Sequence, residues 1–273
     1  MQFGANLRRT GAREMVEIEK GSEDQEGEVT TETLNRVYEQ PALRQATGET
    51  IRPGGLALTD KALALCTLPP GARVLDVGCG SGATVEHLRA HHSLIAFGLD
   101  LSAMLLQSGH RQNPTLPLVQ ASGERVPFAS GQLDAIIAEC SLSVMANANQ
   151  VLKEFKRALK ADGLLILSDV YARNPDGLSA LQHLPPDTCL SGAISQVQLS
   201  ERLQAHGFQI TLWQDHSAAL RQLAVQLIMA HGSMQQFWQQ TASAGAASEI
   251  ERATAKIKPG YYLLLARKGA ASR

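Results

Sequence analysis

One short segment, RVLDVGCGSGA (residues 73–83), combines residue types suited to holding a charged ligand. Asp76 interrupts an apolar run that predicts a buried strand, and Gly78, Gly80 and Gly82 follow at alternate positions. A helical pattern starts directly after the third glycine. Because glycine has no Cβ, backbone N–H groups in such a strand–turn–helix unit can approach a ligand closely. The segment therefore predicts a cofactor site at the carboxyl edge of a sheet.

Two classes of cofactor fit this turn. A dinucleotide fits because residues 78–83 satisfy the GxGxxA fingerprint and the acidic Asp100 ends the next strand. Three features favour S-adenosylmethionine instead. The Asp76 carboxylate could take the amino group of a zwitterionic ligand, whereas it would repel a pyrophosphate. The third glycine comes one position early, at Gly82, and a lone strand-like run (260–266) follows the last helix–strand unit.

The sequence VLDVGCGSG (74–82) resembles motif I of class I S-adenosylmethionine-dependent methyltransferases. The resemblance implies a Rossmann-like α/β sheet that is mostly parallel with an antiparallel last strand. It also implies S-adenosylmethionine as the methyl donor. A nicotinamide-dependent oxidoreductase is the alternative that the glycine fingerprint allows.

Two further segments are expected beside the cofactor. Asp100 ends the second strand, where its carboxylate can accept hydrogen bonds from both ribose hydroxyls, and Leu101 directly after it is also expected to contact the cofactor. Residues 121–128 (ASGERVPF) resemble the family's adenine-lining segment, usually Asp-Ala-Glu-x-Leu-Pro-Phe, with a serine in place of the aspartate. The residues that this resemblance brings to the adenine are Ser122, Gly123 and Glu124.

Two cysteines are candidates for holding the methyl acceptor. Cys140 ends the fourth strand beside Glu139, which is expected to meet the cofactor, and Cys189 lies in an insertion that returns over the same edge. Taken alone, a cysteine on an apolar strand is usually a small buried hydrophobe. Residues 139–172 and TCLSGA (188–193) resemble the matching parts of arsenite methyltransferases. That resemblance implies that the two thiols hold trivalent arsenic or another thiophilic acceptor, since soft centres prefer sulfur ligands.

Other acceptors remain open. A small-molecule O-, N- or C-methyltransferase would need the cofactor residues, but its cysteines would be structural. Arg52, in the turn IRPGG, could reach a substrate carboxylate or merely solvate the turn. His216, after the sixth strand, could act as a general base or as a helix cap.

Alternating strand and helix patterns predict a doubly wound α/β sheet that positions these residues. Residues 1–28 are expected to form a flexible arm and residues 29–70 a helical lid. Residues 71–273 are expected to form the S-adenosylmethionine-binding domain, with insertions at 171–195 and at 216–258, the second of them helical. A turn is expected at Ala161–Gly163, ahead of a fifth strand from Leu164 to Val170.

Composition restricts the partners. The net charge of −1 offers no electrostatic attraction to nucleic acid or to an anionic membrane. No apolar stretch approaches the ~20 residues of a membrane span, and the N-terminus lacks a hydrophobic signal region. The four cysteines are widely spaced and do not suggest a disulfide framework. We therefore expect a cytoplasmic enzyme with a small-molecule acceptor and no nucleic-acid or membrane partner.

Overall fold

A mixed sheet lies at the centre of the protein. The computed structural model describes residues 37–48, 50–184, 188–242 and 245–269, so the predicted arm and residues 29–36 of the predicted lid lie outside the described residues. The strand order is β3-β2-β1-β4-β5-β8-β7, and the two-residue β6 pairs with β5. The strands are β1 (Arg73–Val77), β2 (Ile95–Asp100), β3 (Leu118–Gln120), β4 (Leu133–Glu139), β5 (Leu159–Ala172), β6 (Ile194–Ser195), β7 (Phe208–Asp215) and β8 (Pro259–Lys268).

Helices cover both faces of this sheet. They are α1 (Pro41–Thr47), α2 (Gly55–Ala64), α3 (Ala83–His91), α4 (Ala103–Gln112), α5 (Ala148–Ala158), α6 (Gln196–Ala205), α7 (Ser217–His231), α8 (Met234–Thr241) and α9 (Ala246–Ile257). Three 3₁₀ helices lie at Val37–Glu39, Leu142–Val144 and Pro175–His183. Neighbouring strand residues point to opposite faces, so Val74 packs with α2, α3 and α9, whereas Leu75 packs with α5 and α6. Continuous apolar strands such as β4 follow from burial on both faces.

The last strand runs against its neighbours, as predicted. β8 lies between β5 and β7 and is antiparallel to both, while β1 to β5 pair in parallel. The class I α/β fold is therefore confirmed. The parallel strands all end at one edge, which brings the polar residues at their carboxyl ends together.

The predicted turn at Ala161–Gly163 is instead a bulge within a longer strand. β5 already begins at Leu159, which is fully buried, and regular pairing with β4 resumes where Leu164 faces Ala135. Asp162 has a φ of +57° in this bulge. Because Leu159 is buried and pairs with β4, the strand continues on both sides of the bulge. The turn-forming residues alone do not predict this continuation.

The described part of the lid packs against the C-terminal insertion. Val37 and Leu43 share a small core with Leu227 of α7 and Phe237 of α8. The Ala42 carbonyl lies 3.1 Å from His231 Nε2, which ties α1 to the end of α7. Among the described residues, the helices are all too short or too polar to cross a bilayer.

Candidate active site

The glycine turn between β1 and α3 forms the floor of the site. Gly78 has a φ of +82°, a conformation that side chains disfavour. A Cβ on Gly78 would lie 3.0 Å from Ser141 Oγ and closer still to the Ser141 Cβ. The Ser141 hydroxyl in turn donates to the Val77 carbonyl at 2.7 Å. The close approach of β1 to the end of β4 therefore requires glycine at position 78.

The Asp100 carboxylate is fixed at the end of β2 by two backbone donors. Oδ2 accepts from Gly80 N–H and Oδ1 from Ser102 N–H, both at 2.8 Å. Each carboxylate oxygen can accept more than one hydrogen bond, so these contacts orient Asp100 without using its full capacity. The geometry is compatible with the predicted role towards ribose hydroxyls.

A cavity of about 340 Å³ opens above the turn, which is within the size range of small-molecule sites. It brings together most of the residues predicted from the sequence. Those that line it are Arg52, Gly78, Gly80, Asp100, Leu101, Ser122, Gly123, Glu124, Glu139 and Cys140. Asp76, Gly82, Cys189 and His216 do not line it. Gly82 instead precedes α3 with a φ of +87°, as the cap of that helix.

Asp76 lies buried behind the cavity, with only 3% of its surface exposed. Burial, and next the negative charge of Glu139, raise the pKa of Asp76 to about 8, against the opposing charge of Arg52. The carboxyl group is therefore mostly protonated at neutral pH when no ligand cation lies beside it. A cationic ligand group beside it would favour the ionised form.

We expect the affinity for S-adenosylmethionine to rise with pH between about 6 and 7. If Asp76 pairs with the ligand's amino group, binding releases the Asp76 proton below pH ~8, which strengthens binding up to about tenfold per pH unit. Calorimetric titration of wild type and Asp76→Asn across this range tests it. Asp76→Asn should bind more weakly and show a flatter pH dependence.

The same raised pKa also affects the stability of the protein without ligand, which should decrease as the pH rises. Between the unfolded pKa near 4 and the folded pKa of about 8, the unfolded chain ionises Asp76 first, so the free energy of unfolding falls as pH rises.

For the ligand titrations, Asp134→Asn is the matched control, because Asp134 pairs with Lys160 outside the cavity. An unaltered pH dependence of ligand binding in Asp76→Asn would contradict the assigned role.

Arg52 forms an ion pair inside the protein. Its Nη2 lies 2.7 Å from Glu139 Oε2, and the two side chains are 10% and 3% exposed. Arg52 also donates to Thr59 Oγ1 at 2.7 Å, and the Thr59 hydroxyl donates to Glu139 Oε1 at 2.9 Å. This network joins the lid to the end of β4. Arg52 Nε is buried without a hydrogen-bond partner among the described residues.

The segment after β3 forms one wall of the cavity. Ser122 Oγ accepts from Glu124 N–H at 3.1 Å, and Glu124 Oε1 accepts from Asn147 N–H at 2.9 Å. Gly123 is buried, and a Cβ there would press on Met145 Sδ at 3.1 Å. Glu124 thus holds the loop before α5 against this wall, a structural task that its sequence position did not indicate.

The two candidate cysteines meet at the edge of the cavity. Cys140 ends β4 with a φ of +56°, rare for a residue other than glycine. The Cys189 thiol beside it, together with burial, raises the pKa of the Cys140 thiol. Cys189 is a free thiol whose backbone N–H donates to Tyr38 Oη at 2.9 Å. The structure therefore brings together the thiols of Cys140 and Cys189 and the phenol of Tyr38, and the backbone of Cys140 is strained.

Sequence reasoning missed Asp169, at the end of β5. Its carboxylate accepts from Ser143 N–H at 3.0 Å and from the Ser143 hydroxyl at 2.8 Å. Burial raises its pKa to about 6, against these hydrogen bonds. Asp169 lines a second cavity of about 340 Å³ with Arg202 and Tyr262. The signal that could have found it is its position at the carboxyl end of a parallel strand.

Tyr38 and Thr59 were also missed, and no local pattern marks either residue. Both belong to lid segments whose partners are distant in the chain, Cys189 and Glu139.

His216 lies outside both cavities. It precedes α7, where its backbone N–H donates to the Tyr261 carbonyl at 2.7 Å and its Nε2 lies 3.2 Å from Gln214 Oε1. Burial and the positive charge of Lys61 lower its pKa. His216 occupies the N-cap position of α7, although its side chain makes no capping hydrogen bond.

Residues 75–167 match the family described as Methyltransferase domain. The chain is 27% identical over 166 residues to the uncharacterized methyltransferase YodH of Bacillus subtilis, covering 58% of this chain and 69% of that protein. It is 33% identical over 103 residues to the 18S rRNA (guanine(1575)-N(7))-methyltransferase of Saccharomyces cerevisiae, covering 37% of this chain and 38% of that enzyme.

Solved structures share the fold. The [4+2]-cyclase SpnF has a TM-score of 0.64 and 24% identity, with 79% of this chain and 81% of that chain covered. Phosphoethanolamine N-methyltransferase 2 of Haemonchus contortus, in complex with S-adenosyl-L-methionine, has a TM-score of 0.64 and 15% identity, with 84% and 56% covered.

The domain match confirms the prediction of a methyltransferase that uses S-adenosylmethionine, and the nicotinamide-dependent alternative is not favoured. None of these matches shows the predicted similarity to arsenite methyltransferases.

Proposed function

We propose that this chain, an S-adenosylmethionine-dependent methyltransferase, methylates a small thiophilic acceptor such as trivalent arsenic, held by Cys140 and Cys189. The observation that carries the proposal is the contact between the two thiols at the edge of the cofactor cavity. Two neighbouring thiols can both ligate one soft centre. The near-neutral charge of the chain and the enclosed cavity favour a small molecule over a nucleic acid.

The pair can bind arsenite without prior ionisation. Each thiol forms a sulfur–arsenic bond while its proton leaves with a hydroxide of arsenous acid, so that two bonds form and two water molecules depart. The raised pKa of Cys140 is compatible with this exchange, because the proton is transferred to the leaving hydroxide. The third arsenic substituent and the lone pair remain for the reaction.

Methyl transfer then needs positioning more than proton removal. S-adenosylmethionine would supply a methyl group on a positively charged sulfur. The acceptor's lone pair would form the new bond to the methyl carbon, and the electron pair of the broken carbon–sulfur bond would leave on S-adenosylhomocysteine. Cys140 borders the cavity, and Cys189 lies beside Cys140 in the insertion. The two thiols can therefore align the acceptor's lone pair with the carbon–sulfur bond that breaks.

One observation favours a second candidate, an acceptor that loses a proton. Asp169 has a pKa of about 6 and lines the second cavity with Arg202. A carboxylate with this pKa could serve as a general base near neutral pH, and Arg202 could pair with an anionic group. In that case the cysteines would only pack the end of β4.

Titration of arsenite into the reduced protein separates the two candidates. We expect one arsenite per chain, with thiolate–arsenic absorbance, and at least about a hundredfold weaker binding in Cys140→Ser or Cys189→Ser because one of two strong ligands is lost. Cys66→Ser is the matched control, since Cys66 follows α2 and is not part of the pair.

Turnover completes the test. With arsenite and a thiol reductant, wild type should form S-adenosylhomocysteine, and both serine variants should lose this activity while still binding the cofactor. Absent arsenite binding, or binding equal in all four proteins, would refute the thiophilic acceptor. Asp169→Asn would then be examined with oxygen and nitrogen nucleophiles.

A further inference from the structure

A cluster of metal-ligating side chains lies away from the cofactor cavity. It consists of Asp60 on α2, His87 on α3 and His92 just after α3, and we call it the histidine cluster. Asp60 Oδ1 is 2.6 Å from His87 Nε2 and 2.8 Å from His92 Nε2. All three ligand atoms lie within 4.8 Å of one another.

We propose that the histidine cluster is a binding site for a divalent transition-metal ion of the zinc type. Two imidazole nitrogens and one carboxylate oxygen form a ligand set that zinc prefers, and water can complete a tetrahedron. Ligand atoms in such a tetrahedron are about 3.3 Å apart, given zinc–nitrogen distances of about 2.0–2.1 Å. The two distances from Asp60 Oδ1 to the imidazole nitrogens therefore need to lengthen by about 0.5–0.7 Å to admit the ion.

The cluster is accessible yet anchored. The side chains of His87, His92 and Asp60 are 15%, 28% and 47% exposed, so an ion can enter from solvent and keep a bound water. The imidazoles are held by a regular helix and its C-cap, which limits their motion. His91 lies one helical turn after His87, with ring centroids 4.9 Å apart, and provides a further imidazole nearby.

The position of the cluster gives the ion a structural consequence. Asp60 follows Thr59, whose hydroxyl reaches Glu139 in the cofactor cavity. His87 belongs to the helix that starts at the glycine turn, and His92 is the C-cap of that helix. A bound ion would therefore link the lid helix α2 directly to α3.

Calorimetric titration of Zn²⁺ into tag-free, chelator-treated full-length protein tests the site. The measurement is made in wild type and in Cys140→Ser/Cys189→Ser, because the thiol pair would also bind zinc. We expect one ion per chain to remain in the cysteine variant. His87→Gln or His92→Gln in that background should weaken binding at least about tenfold, and zinc should raise the unfolding temperature only where binding persists.

Two further variants serve as a control and as an alternative to the histidine substitutions. His183→Gln replaces an exposed histidine elsewhere and should bind zinc as the parent does. Asp60→Asn removes the carboxylate at the most exposed position of the cluster and should also weaken binding, should a histidine variant fail to fold. Loss of all zinc binding in the cysteine variant would overturn the proposal. So would equal affinity in the cluster variants and the His183 control.

Discussion

Alanine at Gly78 is expected to abolish measurable cofactor binding and to lower the free energy of unfolding by about 2–4 kcal/mol. Part of this cost, about 1–2 kcal/mol, comes from forcing a side chain into a φ of +82°. The rest comes from the clash with Ser141, which overpacks the contact between β1 and β4. Relief of the clash must move the turn whose backbone faces the cofactor. Denaturant unfolding and calorimetric titration with S-adenosylhomocysteine measure the two effects.

Gly71→Ala is the matched control for this substitution. Gly71 has a similar φ of +79°, but a Cβ there meets no atom within 4 Å. It should therefore show only the conformational cost of about 1–2 kcal/mol and bind the cofactor normally. Equal effects of the two substitutions on binding would show that the contact with Ser141 does not shape the site.

Replacement of Arg52 by methionine should cost about 3 kcal/mol or more of unfolding free energy. The substitution leaves the Glu139 carboxylate buried without its cation, and removal of one partner from a buried pair typically costs 3–5 kcal/mol. Cofactor affinity should fall as well, because Arg52 holds the lid against the end of β4. Thermal and denaturant unfolding, with cofactor titration of the folded variant, measure both results.

Lys160→Met is the matched control, because it removes an exposed ion pair whose two charged atoms are as close as those of Arg52 and Glu139. Lys160 Nζ is also 2.7 Å from a carboxylate, that of Asp134, but the side chains are 47% and 23% exposed. Solvent screening should limit its loss to about 1 kcal/mol or less. The double variant Arg52→Met/Glu139→Gln should recover part of the stability lost in Arg52→Met, since no unpaired carboxylate remains. A loss in Arg52→Met as small as that in Lys160→Met would contradict the buried pair.

Both predictions concern the same edge of the sheet. Gly78 allows β1 to approach the end of β4, and Arg52 ties the lid to Glu139 at that end. Cys140 follows Glu139 directly, with a backbone conformation that costs energy. Strain at this position is maintained by packing around it, including the hydrogen bond from Cys140 N–H to the Ser168 carbonyl at 2.6 Å.

The sequence by itself determined the strand–turn–helix unit beside which the cavity forms. Glycines at alternate positions after a buried strand, and an acid at the end of the next strand, act through local backbone geometry. Apolar periodicity predicted most strands and helices for the same reason, because burial on a sheet or helix face repeats over neighbouring residues. The cofactor class followed from this local chemistry and from the family resemblance that it carries.

Only the tertiary structure decided which distant residues meet. Thr59 and Glu139 are 80 residues apart, and Cys189 and Tyr38 are 151 residues apart, so no local pattern relates them. His216 shows the converse, because a histidine after a strand can face the site or cap the next helix, and only packing selects between them. The bulge before Leu164 could not be predicted from the sequence for the same reason. The long-range pairing of Leu159 with β4 overrides the turn preference of the residues that follow it. Contacts across the chain depend on how elements pack, and one sequence read locally does not contain that information.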